Sequence, residues 1–353
     1  MMKPGPGCKA WRYIYLCVLV LLAPTTGLSI ILHPGIGEPN LTTWTDRPVN
    51  AIVGRWTGLT ADQNNASFVV VSPKWILTTR HQGGSPATID VNGVTYNCIY
   101  NTTYWTGGPA GNADIRLIRL KNTDGSDPNL ADYADPYPTT DEMQDPNIVI
   151  GGYGKYRGAT LYSGGQAYGY QWTGSSNNTL RWGENRIDAQ ESVQLPSPYF
   201  YLSDALYAHF DENGRTYEAA PAAWDSGGGW FINQGGTWKL AALSAYVTYH
   251  GDLNPNQTWF GDKFWGIRIS SYAAWINPII DADCNGPGPV QGDLNGDCKV
   301  DMLDFAQFAN WWLRTDCVSG NSFCNGADFQ PDSDVDMIDL AFFAQNWLVD
   351  KSL

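Results

Sequence analysis

Positive charge is scarce in this chain of 353 residues. Twenty-one Lys and Arg face 35 Asp and Glu, giving a formal net charge of −14, and there are four His. Such a balance offers no basic surface for a phosphate backbone or an anionic membrane, which excludes nucleic acid and acidic lipid as principal partners. Long hydrophobic runs are missing too. Tyr13 to Ala23 is about eleven apolar residues, short of the roughly 20 that a membrane-spanning helix needs. With Lys3, Lys9 and Arg12 before it and small or polar residues after it to Ser29, residues 1–29 read as an export signal. The expected mature chain is secreted and has no membrane span. Of seven Cys, Cys8 and Cys17 fall in that signal, Cys98 stands alone, and Cys284, Cys298, Cys317 and Cys324 crowd the C-terminus. No His lies among those four, so their spacing is not a zinc pattern. An exported chain permits disulfides, and four Cys allow three pairings that sequence does not separate. Cys98 is left free or paired with a partner.

Aromatic residues are 13% of the chain, with 16 Trp and 38 Gly. Many short apolar runs lie between Gly, Asn, Asp and Pro clusters, which reads as all-β. Ala51–Trp56, Phe68–Val71, Trp75–Thr78, Ile115–Leu120, Ile148–Gly152, Leu180–Ile187, Trp238–Val247 and Phe264–Ile269 are expected strands. Thr88–Tyr100 is expected to be a hairpin turning at Asn92-Gly93. Tyr272, Trp275, Ile276 and Ile279 share one helical face, although Pro278 argues against the last turn of that helix. A Pro/Gly linker at Cys284–Pro289 ends this region. The expected organisation is a signal at 1–29, a β domain at 30–282, a linker at 283–292 and an acidic module at 293–353.

Trp224-Asp225-Ser226-Gly227-Gly228-Gly229 places a hydroxyl before three residues without side chains. A nucleophilic serine needs that setting, since the backbone must pass close to a substrate carbonyl and turn N–H groups toward the oxyanion formed on attack. Upstream lie His81, directly after the run Trp75-Ile76-Leu77-Thr78-Thr79-Arg80, and Asp114, directly before Ile115. Each has an ordinary explanation alone, as a loop histidine and a turn aspartate. Together they give the order His, Asp, Ser found in the chymotrypsin-type triad.

These segments resemble the motifs of chymotrypsin/trypsin-like serine proteases. Ile150-Gly151-Gly152-Tyr153-Gly154, Leu243-Ser244-Ala245-Tyr246 and Tyr272–Ile276 match the family's mid-chain bend, substrate-pairing strand and C-terminal helix in order. The resemblance spans about Ala51 to Pro278 and implies two six-stranded β-barrels with the triad at their seam. It implies Ser226 as nucleophile, His81 as general base, Asp114 as its orienting partner, and the N–H groups of Trp224 and Ser226 as oxyanion hole. Trp224 stands where the family commonly has Gly. Gln82 and Ala66 stand where it has a disulfide. Ala220 replaces an acidic specificity residue, so cleavage after Lys or Arg is not expected. Ser244 and Tyr246 belong to the substrate-binding strand, and Tyr246 is expected to narrow the pocket. Ile52-Val53-Gly54 resembles the activation terminus but lies too close to His81, and reads as the first barrel strand. That leaves Asp225 without a named partner.

Oxygen-bearing side chains recur in the acidic tail with calcium-loop spacing. The first loop has Asp293, Asn295, Asp297, Asp301 and Asp304, with Lys299 offering its carbonyl. The second has Asp328, Gln330, Asp332, Asp336 and Asp339, with Asp334 offering its carbonyl. Position 6 of each loop, usually Gly, is Cys298 or Ser333. Each loop leads into an apolar helix, and a loop followed by one helix resembles a type I dockerin. That resemblance implies two bound Ca²⁺ and a cohesin-like receptor. The leading expectation is therefore a secreted serine endopeptidase acting on protein or peptide substrates. The competing one is an inactive protease-fold binding module displayed through the dockerin.

Overall fold

Where a strand is covered on both sides its sequence is continuously apolar; where one side meets solvent it alternates. The run Ala66-Ser67-Phe68-Val69-Val70-Val71-Ser72 is buried at every position, and it lies between two cores. Phe68 and Val70 point into a barrel with Ile76, Ile89, Ile118 and Leu120. Val69 and Val71 point the other way, toward Phe231, Leu243, Ile267 and Trp275. This strand is the shared wall of the molecule's β region.

The computed structural model describes residues 30–33, 44–56, 66–82, 84–100, 111–173, 179–195, 200–251, 256–281, 290–294, 299–318, 321–330 and 332–350. The expected signal at 1–29, linker residues 283–289, Asn295, Asp297, Cys284 and Cys298 lie outside them. After β1 (Ile31–His33) come β2 (Val53–Trp56), β3 (Ala66–Ser72), β4 (Trp75–Thr78), β5 (Thr88–Val91), β6 (Val94–Ile99) and β7 (Arg116–Lys121). Strands β2-β3-β4-β7-β6-β5 close into a barrel, with Arg55 of β2 paired to Asp90 of β5. The β5–β6 hairpin turns at Asn92 (φ 51°) and Gly93 (φ 83°), the positive angles that an Asn-Gly turn supplies. The first strand starts later than its sequence implies. Asn50–Ile52 form a 3₁₀ turn and extended backbone begins at Val53.

The second half adds β8 (Asn147–Gly152), β9 (Tyr156–Ser163), β10 (Gln166–Thr173), β11 (Arg181–Arg186), β12 (Ala189–Gln194) and β13 (Leu202–His209). It continues with β14 (Glu218–Ala220), β15 (Gly229–Gln234), β16 (Thr237–Val247), β17 (Gln257–Trp259) and β18 (Lys263–Arg268). Nine of the strands form one sheet in the order β1-β14-β11-β8-β15-β16-β18-β13-β12, while β17-β10-β9 form a smaller one. The two-barrel expectation is thus met by a closed barrel followed by a curled nine-stranded sheet. A third core gathers Trp230, Phe264, Phe210, Ile150 and Leu206. Helix α1 (Ala273–Asp281) runs through Pro278. Burial of Trp275, Ile276 and Ile280 offsets the one backbone hydrogen bond that the proline removes.

The acidic tail is helical and internally duplicated. Helices α2 (Met302–Asn310) and α4 (Met337–Gln345) flank a single turn, α3 (Ser322–Asn325). Each longer helix opens on a capping box, Asp301 with Asp304 and Asp336 with Asp339. Phe308 and Phe343 stack at 5.5 Å across the repeat. The segment after each helix pairs with the other loop: Leu313 N–H donates to the Val335 carbonyl, and Leu348 N–H to that of Val300, both near 2.9 Å. Among the described residues Cys317 and Cys324 form a disulfide, and Cys98 is buried and free. Among the described residues no helix is long and apolar enough to cross a membrane.

Candidate active site

Strands β4 and β7 are antiparallel neighbours, with Thr78 opposite Arg116. The residues just after β4 and just before β7 therefore meet at one end of the barrel, and these are His81 and Asp114. Asp114 is fully buried. Its Oδ1 accepts the backbone N–H groups of Arg80 and His81, both at 2.8 Å. Its Oδ2 accepts from His81 Nδ1 at 2.5 Å and from the Tyr246 hydroxyl at 2.8 Å. A carboxylate that only accepts fixes the proton on Nδ1 of a neutral imidazole, so Nε2 presents its lone pair. Ser226 Oγ lies 2.9 Å from that nitrogen. The Gln82 amide reaches the same Nε2 at 3.2 Å.

Ser226 comes from the other half of the chain, and β3 holds it in place. The Ser67 N–H donates to the Ser226 carbonyl at 2.9 Å, and Ser67 Oγ to the Trp224 carbonyl at 3.3 Å. Trp224 has φ 78°, the left-handed conformation that glycine reaches without strain. Its indole lies under Lys155 Nζ at 5.2 Å, and Lys155 N–H donates to the Ala223 carbonyl at 2.7 Å. Trp224 thus attains the angle that its side chain disfavours.

Asp225 is also fully buried. Its oxygens accept the N–H groups of Gly154 (2.6 Å) and Ala222 (2.9 Å). The Ile30 N–H also bonds this carboxylate, and Arg181 acts on it through space. Desolvation outweighs these donors and pushes its pKa up to about 7. Asp225 therefore has the partner that sequence left unnamed, and it is Ile30, the residue following the expected signal.

A cavity of about 230 Å³ opens beside Ser226, lined by Trp172, Pro221, Ala222, Ala223 and the segment Ser244–Tyr249 at the end of β16. Among the described residues no acidic or basic side chain lines it. Ala220 lies one residue outside this lining, buried in β14 opposite Ile31. Ser244 is on the lining, its Oγ accepting from Trp230 Nε1 at 2.9 Å. Tyr246 does more than narrow the space, because its hydroxyl is bound to Asp114. Sequence reasoning missed Trp172, Ser67, Ile30 and this role of Tyr246. The Trp172 strand carried a readable signal, a Gly164-Gly165 turn between two Tyr-rich segments.

In the acidic tail, the second loop shows two local features. Asp328 Oδ1 is buried with no hydrogen-bond partner, and Ser333 takes the sharp turn at φ 80° despite its side chain. Burial, with Asp339 and Asp332 nearby, raises the Asp328 pKa. Among the described residues no three acidic, His or Cys side chains form a closed cluster. The first loop is described only in part, at Asp293, Lys299, Asp301 and Asp304.

Comparison with known proteins adds two findings. One solved structure, neuropsin, a serine protease expressed in mouse brain, aligns with 66% of this chain and 95% of its own. Identity is 16% and the TM-score 0.38, too loose a likeness to carry residue assignments. No curated protein matches the chain. The family model of the dockerin type I domain matches residues 291–346.

Proposed function

We propose that residues 30–282 form a serine endopeptidase, exported by the segment 1–29 and tethered through a linker at 283–292 and a dockerin module at 293–353. The supporting observation is the continuous hydrogen-bond chain from Ser226 Oγ through His81 to a buried Asp114. In this reading Ser226 Oγ attacks the substrate carbonyl while His81 Nε2 takes its proton, and Asp114 stabilises the imidazolium. The N–H groups of Trp224 and Ser226 would receive the oxyanion. His81 returns the proton to the leaving amine, and water then hydrolyses the acyl-enzyme by the same route. The uncharged cavity favours a substrate side chain that is itself uncharged. The alternative of an inactive binding module drew on Trp224 and on the lack of an activation terminus. The positive φ at Trp224 and the place of Ile30 beside Asp225 weaken both grounds.

Removal of residues 1–29 would convert the Ile30 N–H into an α-ammonium against Asp225. It would also release a β-branched residue from φ 59°, since a first residue has no preceding carbonyl to clash with. Dockerin type I domains bind calcium and dock onto cohesins. Here the two loops at 293–304 and 328–339 would hold two Ca²⁺ through their carboxylates and the carbonyls of Lys299 and Asp334. The ion would supply the charge that lets those acidic groups share one turn.

The test is labelling of the full chain by a fluorophosphonate. Wild type should react at one site and Ser226→Ala should not. Labelling that persists in Ser226→Ala removes the proposal.

A further inference from the structure

Asp114 has four acceptor positions and all are filled: two by backbone N–H groups, one by His81 and one by the Tyr246 hydroxyl. Tyr246 reaches it because β16 is irregular. Ser244 is opposite Gly266 and Tyr246 opposite Trp265, so two residues of β16 face one of β18 between them. Such a bulge breaks the two-residue alternation and re-aims the following side chain. Tyr246 is also among the residues lining the cavity beside Ser226, and its ring stands 5.9 Å from the His81 ring. One residue therefore borders both the cavity beside Ser226 and the carboxylate behind the imidazole.

We infer that Tyr246 is a positioning residue of the relay: its hydroxyl fixes Asp114 Oδ2, and its ring carries occupancy of the cavity to that carboxylate. The inference rests on the protease reading of the site. A phenol donating to a carboxylate spreads its negative charge, which weakens the hold on His81 as imidazolium while fixing the direction in which Oδ2 points. Burial and the adjacent Asp114 charge drive the Tyr246 pKa far upward, so the hydroxyl keeps its proton throughout any working range. The groups facing this pair are His81, Arg116, Ser203 and Tyr272. Tyr201, Tyr100 and Cys98 lie around Arg116, and Asp204 beside Tyr272. Of these, Ser203 Oγ accepts the Asp114 N–H at 2.9 Å, and the Tyr272 hydroxyl accepts the Asp204 N–H at 2.8 Å.

Tyr246→Phe keeps the ring and the cavity wall and deletes only the hydroxyl. In the full chain, His81 ionisation is followed by NMR on labelled histidine in wild type, Tyr246→Phe and Tyr272→Phe. Tyr272→Phe is the control, since it removes a neighbouring buried phenol that does not bond Asp114. The expected result is a His81 midpoint raised by about 0.5–1 pH unit in Tyr246→Phe alone. Against an ester whose side chain fills the cavity, kcat should fall roughly five- to tenfold with KM within about twofold. Equal His81 midpoints in wild type and Tyr246→Phe, or equal displacement in both variants, overturn the inference. The titration needs no turnover. A wild-type chain that took no fluorophosphonate would remove the protease reading and leave the histidine result to decide Tyr246.

Discussion

Ser67 donates its backbone N–H to the carbonyl of Ser226 at 2.9 Å, so the barrel grips the peptide of the proposed nucleophile. Ser67 in turn is held by Thr78 Oγ1, which donates to its carbonyl at 2.8 Å. Gly227 passes over this pair at φ 85°, and a Cβ there would stand 2.0 Å from the Ser67 oxygen and 2.3 Å from Thr78 Oγ1. Gly227→Ala therefore meets backbone that cannot yield and a disfavoured angle together. It should destabilise the β domain by about 3 kcal/mol and abolish fluorophosphonate labelling. A variant that melts with wild type and still labels would contradict this account of the seam.

Asp114→Asn tests the tautomer. An amide nitrogen at the Oδ2 position would donate where His81 Nδ1 now donates, pushing the proton to Nε2 and removing the base facing Ser226. The expected loss in kcat is on the order of 10⁴ with little change in KM, as for the corresponding change in the chymotrypsin-type triad. Steady-state kinetics on an ester substrate measures it. A loss confined to KM would show that Asp114 serves binding and not the proton relay.

Asp225 predicts a pH dependence whose sign follows from its raised pKa. The folded chain holds this proton more tightly than the unfolded chain, so the carboxyl stabilises the fold most below about pH 4. That contribution declines as pH rises toward 7 and is flat above, a span on the order of 4 kcal/mol. An α-ammonium at Ile30 would favour the charged carboxylate and remove most of the slope. Melting curves between pH 4 and 8 should thus decline for the chain with residues 1–29 and stay level for one beginning at Ile30. Parallel curves would mean that the two groups do not pair in the shortened chain.

Trp224 isolates backbone angle from side chain. Holding a non-glycine residue at φ 78° costs about 1–2 kcal/mol, against about 0.5–1 kcal/mol returned by Lys155 over the indole. Trp224→Gly should leave labelling within a few-fold of wild type and raise stability by up to about 1 kcal/mol. Trp224→Pro removes the N–H and forces φ negative, and should lower kcat by at least about 10². Equal activity in the two variants would take the Trp224 N–H out of the proposed oxyanion hole.

The residues legible in the sequence are those whose roles show in their immediate neighbours. His81 follows a strand at once, Asp114 precedes one, and Ser226 is flanked by glycines, so chain order alone brought the three together on paper. The repeat in the acidic tail was legible for the same reason, and the capping boxes at Asp301 and Asp336 sit where its period puts them. What stayed hidden depends on distant pairing. Ile30 meets Asp225 only because β1 joins β14, and nothing near Ile30 announces it. Strand β9 is mostly half-exposed, with Gly and Thr breaking its apolar pattern, so the Gly164-Gly165 turn, and not strand alternation, is what marks the hairpin that brings Trp172 to the cavity. The direction of Tyr246 was unreadable because a bulge cancels the very periodicity from which direction is inferred.

Calcium provides the last test, through Asp328. One oxygen of this carboxylate accepts the Ser333 N–H at 3.2 Å, while the other is buried without a partner. An uncompensated buried oxygen destabilises a fold unless something positive or hydrogen-bonding reaches it. Burial raises the Asp328 pKa, and the charges of Asp339 and Asp332 add to it, so a cation is a group that would relieve both. Calcium added to the full chain should therefore raise the melting temperature of the C-terminal module, and the gain should shrink as pH falls and Asp328 takes up a proton. Asp328→Asn keeps the shape and the Ser333 contact but removes the charge. It should weaken calcium affinity at least about tenfold while raising the stability of the calcium-free chain, because the like-charge repulsion is relieved. Calorimetry and melting curves in chelator read the two effects separately. If the substitution destabilised the calcium-free chain and left affinity unchanged, Asp328 would be a structural acceptor and the cation would have to be sought elsewhere in the module.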